Sequence, residues 1–143
     1  MSTSTPGRRL LFESKVGRLQ ADAGGFLRID WSSEPRTLAE LQHFCEQIVQ
    51  ALKHHSWARA LGNQAHMRPF TAEEQQWIAR EWLPRVVREG GYRFGALVVS
   101  ADVLVRLATA YVTTNVQGLP LTYRSFETEA AALQWLAQQP ERP

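Results

Sequence analysis

Cysteine is nearly absent from this chain, and lysine is scarce. Cys45 is the single cysteine among 143 residues, which excludes an intramolecular disulfide and any paired-cysteine redox or zinc motif. Lys15 and Lys53 are the only lysines among the 16 basic residues, and 14 acidic residues reduce the formal charge to +2. Because no strongly basic tract accompanies this balance, the composition does not predict nucleic-acid binding.

Long apolar runs are absent as well. No stretch approaches the roughly 18 to 20 apolar residues of a membrane-spanning helix, and the run Leu10–Phe12 is too short for the core of a signal peptide. These absences predict a cytoplasmic protein with no membrane insertion. The hydrophobic fraction of 44% and the charged fraction of 21% are typical of one globular domain. We expect a flexible leader over 1–8, a single domain over 9–139 and a C-terminal tail over 140–143.

Alternating apolar residues between Leu10 and Ser32 predict strands, and the Gly24-Gly25 pair predicts an antiparallel hairpin turn between them. Three later segments have the pattern of further strands. The run Phe94–Ser100 is almost uncharged and rich in β-branched residues, which is typical of a strand buried on both faces of a sheet. The other two are Trp57–Leu61 and Leu121–Phe126.

Helix start signals lie between these predicted strands. Thr37 with Glu40 and Thr71 with Glu74 are capping boxes, which predict helices near 37–54 and 71–90, and Pro84 predicts a kink or break near 80–82. Further helices are expected near 101–117 and 128–139. The alternation predicts an α/β fold: a mixed sheet of four to five strands, with an N-terminal antiparallel hairpin and then parallel strands, flanked by about four helices. A ferredoxin-like arrangement is the alternative.

The order of these elements and the placement of aromatic residues resemble the small bacterial SpoIIAA-like proteins of the STAS and SEC14-like superfamily. The segments that carry the resemblance are Ala60–Asn63, Thr71–Trp77, Glu81–Arg85, Gly95–Ser100 and Ala131–Leu136. The resemblance implies a regulatory binding module. In the anti-sigma-factor antagonists of this fold, a phosphorylatable serine motif opens the helix after a central strand. The corresponding segment here, Gly62–Pro69, lacks that motif, so the antagonist function does not carry over.

Catalytic signatures are also missing. His54, His55 and His66 have no recognised metal-ligand spacing, and Ser100 lacks the Gly-x-Ser-x-Gly elbow of a nucleophile. No glycine-rich phosphate loop is found. The sequence therefore predicts a protein that is not an enzyme and that uses no metal and no cofactor.

Two functional hypotheses remain. The first is a non-enzymatic cytosolic regulatory or protein-interaction module, which the resemblance implies. The alternative is a small-ligand or lipid-binding carrier of the SEC14-like type, with a cavity between the sheet and the helix that Pro84 kinks. Arg68 and His66, in the predicted loop 62–69, are the candidate residues for an anion or another ligand.

A pair of tryptophans predicts a homodimer. Ile78, Trp82 and Val86 share one helical stripe, which places Trp77 about 100° away from it. We expect Trp77, Trp82, Arg80 and Pro84 to mark a binding interface, because aromatic residues are enriched at interface hot spots.

Replacement of each tryptophan should have a different effect on dimer affinity and on stability. If Trp77 projects into such an interface, Trp77→Ala should weaken the dimer while leaving the monomer folded, whereas Trp82→Ala should destabilise the domain by roughly 3 to 5 kcal/mol through loss of core packing. Sedimentation at several concentrations and urea unfolding separate the two effects. A strictly monomeric protein with an inaccessible Trp77 would contradict the interface.

Overall fold

A six-stranded mixed sheet organises the chain, whose computed structural model describes residues 6–116 and 118–143. The strands occur in the sheet in their order along the sequence: β1 Arg8–Glu13, β2 Gly17–Asp22, β3 Phe26–Trp31, β4 Arg59–Asn63, β5 Phe94–Val98 and β6 Thr122–Phe126. The helical elements are α1 Leu38–His55, α2 Ala72–Trp77, a π-helical segment Ile78–Trp82, α3 Leu83–Arg88, α4 Val103–Thr114 and α5 Glu129–Ala137.

The first three strands form an antiparallel meander. With the three later strands they make six, so the prediction of four to five strands was wrong. The turn between β1 and β2 is short, with Ser14 at its start and Gly17 at its end. The Ser14 amide donates to the Gly17 carbonyl, and the Ser14 hydroxyl accepts from the Val16 amide. The next turn was predicted from its glycines, and Gly25 adopts a φ of +85° there.

Strands β3 to β6 are parallel, as the alternation of strands and helices predicted. Parallel neighbours require a crossover connection, and α1, the α2–α3 region and α4 supply the three crossovers. These helices pack on one face of the sheet around a single core that includes Leu27, Phe44, Val86 and Val105. The opposite face has α5, whose Leu136 packs with residues of β4 and β5 in a second, smaller core.

The α2–α3 region is divided by the π-helical segment Ile78–Trp82, close to the predicted break. Pro84 has no amide hydrogen to donate to the Arg80 carbonyl, and its ring crowds the preceding turn. The Leu83 amide donates to the Ile78 carbonyl, five residues back, so the widened turn absorbs the defect. Gly91, with a φ of +76°, then ends this region, as its sequence predicted.

The chain ends were predicted as a leader and a tail. Residues 1–5 of the leader lie outside the described residues, and its last residue, Arg8, already pairs with Asp22 in the sheet. The tail packs on the domain, because the Ala58 amide donates to the Glu141 carbonyl at 2.7 Å. Within 6–116 and 118–143, no helix has the length and apolar character that spanning a membrane requires.

The buried Arg59 side chain links the turn between β2 and β3 to the end of α5. Its Nη2 donates to the carbonyls of Gly24 and Gly25 at 2.7 and 3.1 Å, in the turn between β2 and β3. Its Nη1 donates to the carbonyls of Leu136 and Gln139 at 3.0 and 3.3 Å, at the C-terminus of α5. One guanidinium therefore satisfies helix-end carbonyls and positions α5 on the sheet.

A second buried arginine holds α2 in place. Arg36 donates from Nε and Nη2 to the two carboxylate oxygens of Glu74 at 2.9 Å each, and the two side chains are only 1% and 4% exposed. Glu74 also accepts from the Thr71 amide in the predicted capping box. The carboxylate therefore caps the helix and neutralises a buried cation at the same time.

Glu74→Gln should lower the free energy of unfolding by about 3 kcal/mol, because it leaves the Arg36 charge buried without a counter-ion. Urea unfolding measures the loss. Glu73→Gln is the matched control, since Glu73 lies in the same first turn but is exposed, and its replacement should change stability by less than about 0.5 kcal/mol. Equal effects of the two variants would contradict the role given to the buried pair.

Candidate functional site

Two central strands have a glycine on the face that the crossover helices cover. A Cβ atom on Gly95 of β5 would lie 2.3 Å from the Tyr92 hydroxyl and 2.4 Å from the Tyr123 ring. A Cβ atom on Gly62 of β4 would lie 3.1 Å from a methyl group of Leu97. The missing side chains let the two tyrosine rings approach the sheet and leave space between the sheet and the helices.

This space is a cavity of about 50 Å³. Its wall is mainly apolar and aromatic, with polar groups contributed by Gln64, Thr109, Thr113, Cys45 and the two tyrosines. The cavity lies between the sheet and the helical region that contains the π segment, since Ile78 and Trp82 line it. Its other lining residues are Ile29, Trp31, Ile48, Gly62, Phe70, Leu97 and Val112.

The polar groups around the cavity are held by hydrogen bonds. Thr109 donates from Oγ1 to the Gln64 Oε1 at 3.2 Å, and the Gln64 backbone amide donates to the Val98 carbonyl. The Trp82 indole N–H donates to the Cys45 carbonyl at 2.9 Å, which fixes the ring in the wall. Since these side chains are buried and bonded, the cavity shape is preorganised.

Burial keeps the ionisable groups of the cavity neutral. Desolvation raises the pKa of the Cys45 thiol, so the thiolate that would act as a nucleophile is suppressed. Desolvation likewise raises the pKa of Tyr92 and Tyr123, whose rings lie edge to face with centroids 5.8 Å apart. These three groups therefore stay protonated near neutral pH.

A groove of about 220 Å³ adjoins the cavity between α4 and the C-terminal ends of the parallel strands. Gln64, Thr109 and Thr113 line both spaces. The groove adds Arg106 at its rim, together with Val99, Ala110 and Ser125. In open α/β sheets, ligands usually bind at this end of the strands.

The outer face of α4 carries the second candidate site, which the sequence analysis missed. Val103, Leu104, Leu107 and Tyr111 are 64%, 65%, 63% and 42% exposed, although the opposite side of the same helix is in the core. In the described part of the chain, the one other large apolar side chain with comparable exposure is Leu10, at 47%. We call these four α4 residues the α4 face. Its signal in the sequence is that the apolar residues of α4 are not confined to one stripe of the helix.

The predicted interface residues do not share one environment. Trp82 is buried in the core, in agreement with the helical stripe, and is not part of a free surface. Trp77 is half-buried and packs against the same core, while Pro84 is half-buried and Arg80 is exposed. The four side chains therefore do not form a single exposed patch.

The candidate ligand residues Arg68 and His66 are both exposed in the loop after β4. Neither lines the cavity or the groove. Ser100 is buried, and its hydroxyl accepts from the Asp102 amide, so it orders the turn before α4. Over 6–116 and 118–143, no group of three histidine, cysteine or acidic side chains is placed to hold a metal ion.

The two cavity tyrosines should make the protein sensitive to alkali. Their folded-state pKa values are raised, so above the ordinary phenol value of about 10 the unfolded chain releases protons that the folded chain keeps. The free energy of unfolding should fall as the pH rises through this range. Urea unfolding at several alkaline pH values measures the slope, and Tyr92→Phe with Tyr123→Phe should reduce it. An unchanged slope in the double variant would contradict this account.

Comparison of the chain with protein-family models, with curated proteins and with solved structures found no match. The SpoIIAA-like assignment therefore stays a prediction from the sequence.

Proposed function

We propose that this chain is a non-enzymatic protein-interaction module that pairs with a second copy of itself through the α4 face. The observation that carries the proposal is the exposure of four large apolar side chains on one helix. Contiguous exposed apolar patches on folded proteins mark interaction sites more often than scattered ones do.

The spacing of the exposed residues favours a helix as the partner element. Leu104, Leu107, Tyr111 and Thr114 follow one another at intervals of three, four and three residues along α4, and all are exposed. This is the spacing with which one helix packs along another. Two copies of α4 can meet about a two-fold axis, where the same residues contribute from both sides.

The absence of charge on the α4 face favours a second copy of the chain over a charged partner. The one ionic side chain on α4 is Arg106, which contacts the Glu127 carboxylate at 3.3 Å. The α4 face itself has no formal charge, so pairing with its own copy brings no like charges together. A charged partner would gain nothing from this surface and would lose hydration.

The α4 face is too small to form a standard protein–protein interface by itself. The exposed parts of its four side chains amount to on the order of 400 Å², about half of the roughly 800 Å² that each partner buries in a standard interface. Strand β6, which follows α4, is an edge strand paired only with β5. The other edge, β1, has a bulge between Leu10 and Phe12 and several charged residues, which oppose pairing. We therefore include β6 in the interface.

The alternative of a lipid carrier has weaker support. The cavity of about 50 Å³ is much smaller than the roughly 300 to 1,000 Å³ that sites for drug-sized ligands occupy. A lipid chain would require the helices to separate from the sheet. The size of the cavity thus favours the interaction module.

Opposite charges at one position test the pairing. Leu107→Glu and Leu107→Lys should each raise the dimer dissociation constant at least 100-fold, because a charge would be buried at the contact. Sedimentation velocity at several concentrations measures this change. An equimolar mixture of the two variants should restore the dimer, since the charges then compensate across the two-fold axis.

Leu10→Glu is the matched control, because Leu10 is also exposed but lies in β1. This variant should dimerise as the unmodified protein does. Circular dichroism should show all three variants folded, since the replaced side chains are exposed. A monomeric unmodified protein, or a dimer that both Leu107 variants leave intact, would refute the proposal.

A further inference from the structure

Strand β6 is an edge of the sheet with little to prevent further pairing. Among the described residues it pairs with β5 alone, and its Thr122, Arg124 and Ser125 are exposed. The strand has no proline and pairs with β5 without a bulge. Its single charged side chain is Arg124, whose guanidinium carbon lies 5.5 Å from the centre of the Phe126 ring. The features that usually protect an edge strand are therefore weaker here than on β1.

The hydrogen bonds of β6 show which of its backbone groups are free. The Thr122 amide donates to the carbonyl just before β5 at 2.9 Å, and the Phe126 carbonyl accepts from the amide just after β5 at 3.0 Å. Successive residues of a strand direct their N–H and C=O groups to alternate sides. Tyr123 and Ser125 therefore direct their backbone groups away from β5, where a further strand can bind them.

The two ends of β6 differ in how far they can extend a pairing. Pro120 precedes the strand and has no amide hydrogen, and the Leu121 amide is already donated within the preceding turn. A two-fold axis at Tyr123 would set Ser125 opposite Leu121, so it would depend on this blocked end. At the other end, the Glu127 amide makes no hydrogen bond with the described residues. Pairing is therefore favoured toward the C-terminal end of β6.

Charge selects between the registers that remain for two antiparallel copies of β6. With Arg124 on the two-fold axis, two arginine side chains would lie opposite each other, and like charges in that position are destabilising. With Ser125 on the axis, Arg124 of each copy lies opposite Phe126 of the other, which allows a contact between a cation and an aromatic ring. In this register Tyr123 lies opposite Glu127, and the small, uncharged Ser125 meets its own copy.

The α4 face lies level with the same axis. Ser125 lines the groove beside α4 together with Arg106 and Thr113. It is therefore level with the middle of that helix, where Leu107 and Tyr111 are exposed. A crossover helix lies above the two strands that it joins, so joined sheets bring two copies of α4 to a separation of two strand spacings, about 10 Å. Helices that pack together lie about 8 to 10 Å apart, so both contacts fit in one dimer.

We propose that two copies join their sheets through β6, antiparallel and with Ser125 on the two-fold axis, to form one continuous sheet with six strands from each copy. This inference rests on the proposed pairing through the α4 face and states how the rest of that interface is made. Backbone hydrogen bonds at Tyr123 and Ser125 fix the register, and the two α4 faces exclude water above the junction.

A cysteine at the axis tests the register. In an antiparallel sheet the Cα atoms of two hydrogen-bonded opposite residues are about 5.5 Å apart, which is within the range that a disulfide spans. Mild oxidation of Ser125→Cys should therefore give a covalent dimer, which electrophoresis without reductant measures. The unmodified protein should give none, because its single cysteine, Cys45, is buried.

Thr122→Cys and Glu127→Cys are the matched controls, since both residues are exposed and lie on either side of the axis. In the proposed register the two Cα atoms at position 122 are about 20 Å apart and those at position 127 about 14 Å apart, beyond the reach of a disulfide. Each control should cross-link at least tenfold more slowly than Ser125→Cys. Circular dichroism should show all three variants folded, because the replaced side chains are exposed.

Amide hydrogen exchange is a second readout, and it requires no substitution. The Ser125 amide should exchange at least tenfold more slowly above the dimer dissociation constant than below it, because only the dimer gives it an acceptor. The Thr122 amide already has an acceptor within the chain, so its exchange should not depend on this pairing. NMR spectroscopy of the unmodified protein at several concentrations measures both rates.

The outcomes separate the joined sheets from the pairing on which they rest. A dimer that Leu107→Glu disrupts, but that shows neither the Ser125→Cys cross-link nor slowed Ser125 exchange, would retain the α4 face and overturn the joined sheets. Cross-linking of either control as fast as Ser125→Cys would overturn the register. A monomeric unmodified protein would overturn both proposals.

Discussion

Each strand of the sheet pairs only with its neighbours in the sequence, and this order constrains what packs on the sheet. Parallel pairing from β3 to β6 makes every connection cross over a face, and the three crossovers lie together on one face. The crossover helices therefore form a row that follows the strands. Because α4 is the last member of that row, it has the α2–α3 region on one side and no helix beyond it. The exposed α4 face is a consequence of this position.

The cavity depends on a different constraint, which is the absence of two side chains from the centre of the sheet. Gly62 and Gly95 create room that Tyr92 and Tyr123 only partly fill. Both tyrosines stay protonated near neutral pH, because burial raises the pKa of each phenol.

Local signals in the sequence were sufficient for much of the fold. Both capping boxes begin helices, and Pro84 lies just after the π segment. These effects could be predicted because they depend on neighbours a few residues away. The strand count was wrong because the short turn Ser14–Gly17, which the Ser14 hydroxyl and amide close, was not recognised as a division between two strands. The α4 face could not be recognised from periodicity, since only the sheet order shows which side of an apolar helix has no neighbour. The exposure of Trp77 likewise depends on tertiary packing, so the sequence alone does not predict that its ring packs against the core.

The position of α5 has a consequence for synthesis of the protein on the ribosome. This helix covers Leu61, Ala96 and Val98 on the second face of the sheet, and its final carbonyls share the Arg59 guanidinium with the turn between β2 and β3. A nascent chain that has not yet released α5 from the exit tunnel exposes that apolar face and leaves the arginine without half of its acceptors. Until α5 docks, the sheet therefore presents an uncovered apolar face, and transiently exposed surfaces of this kind make partly folded chains prone to aggregate.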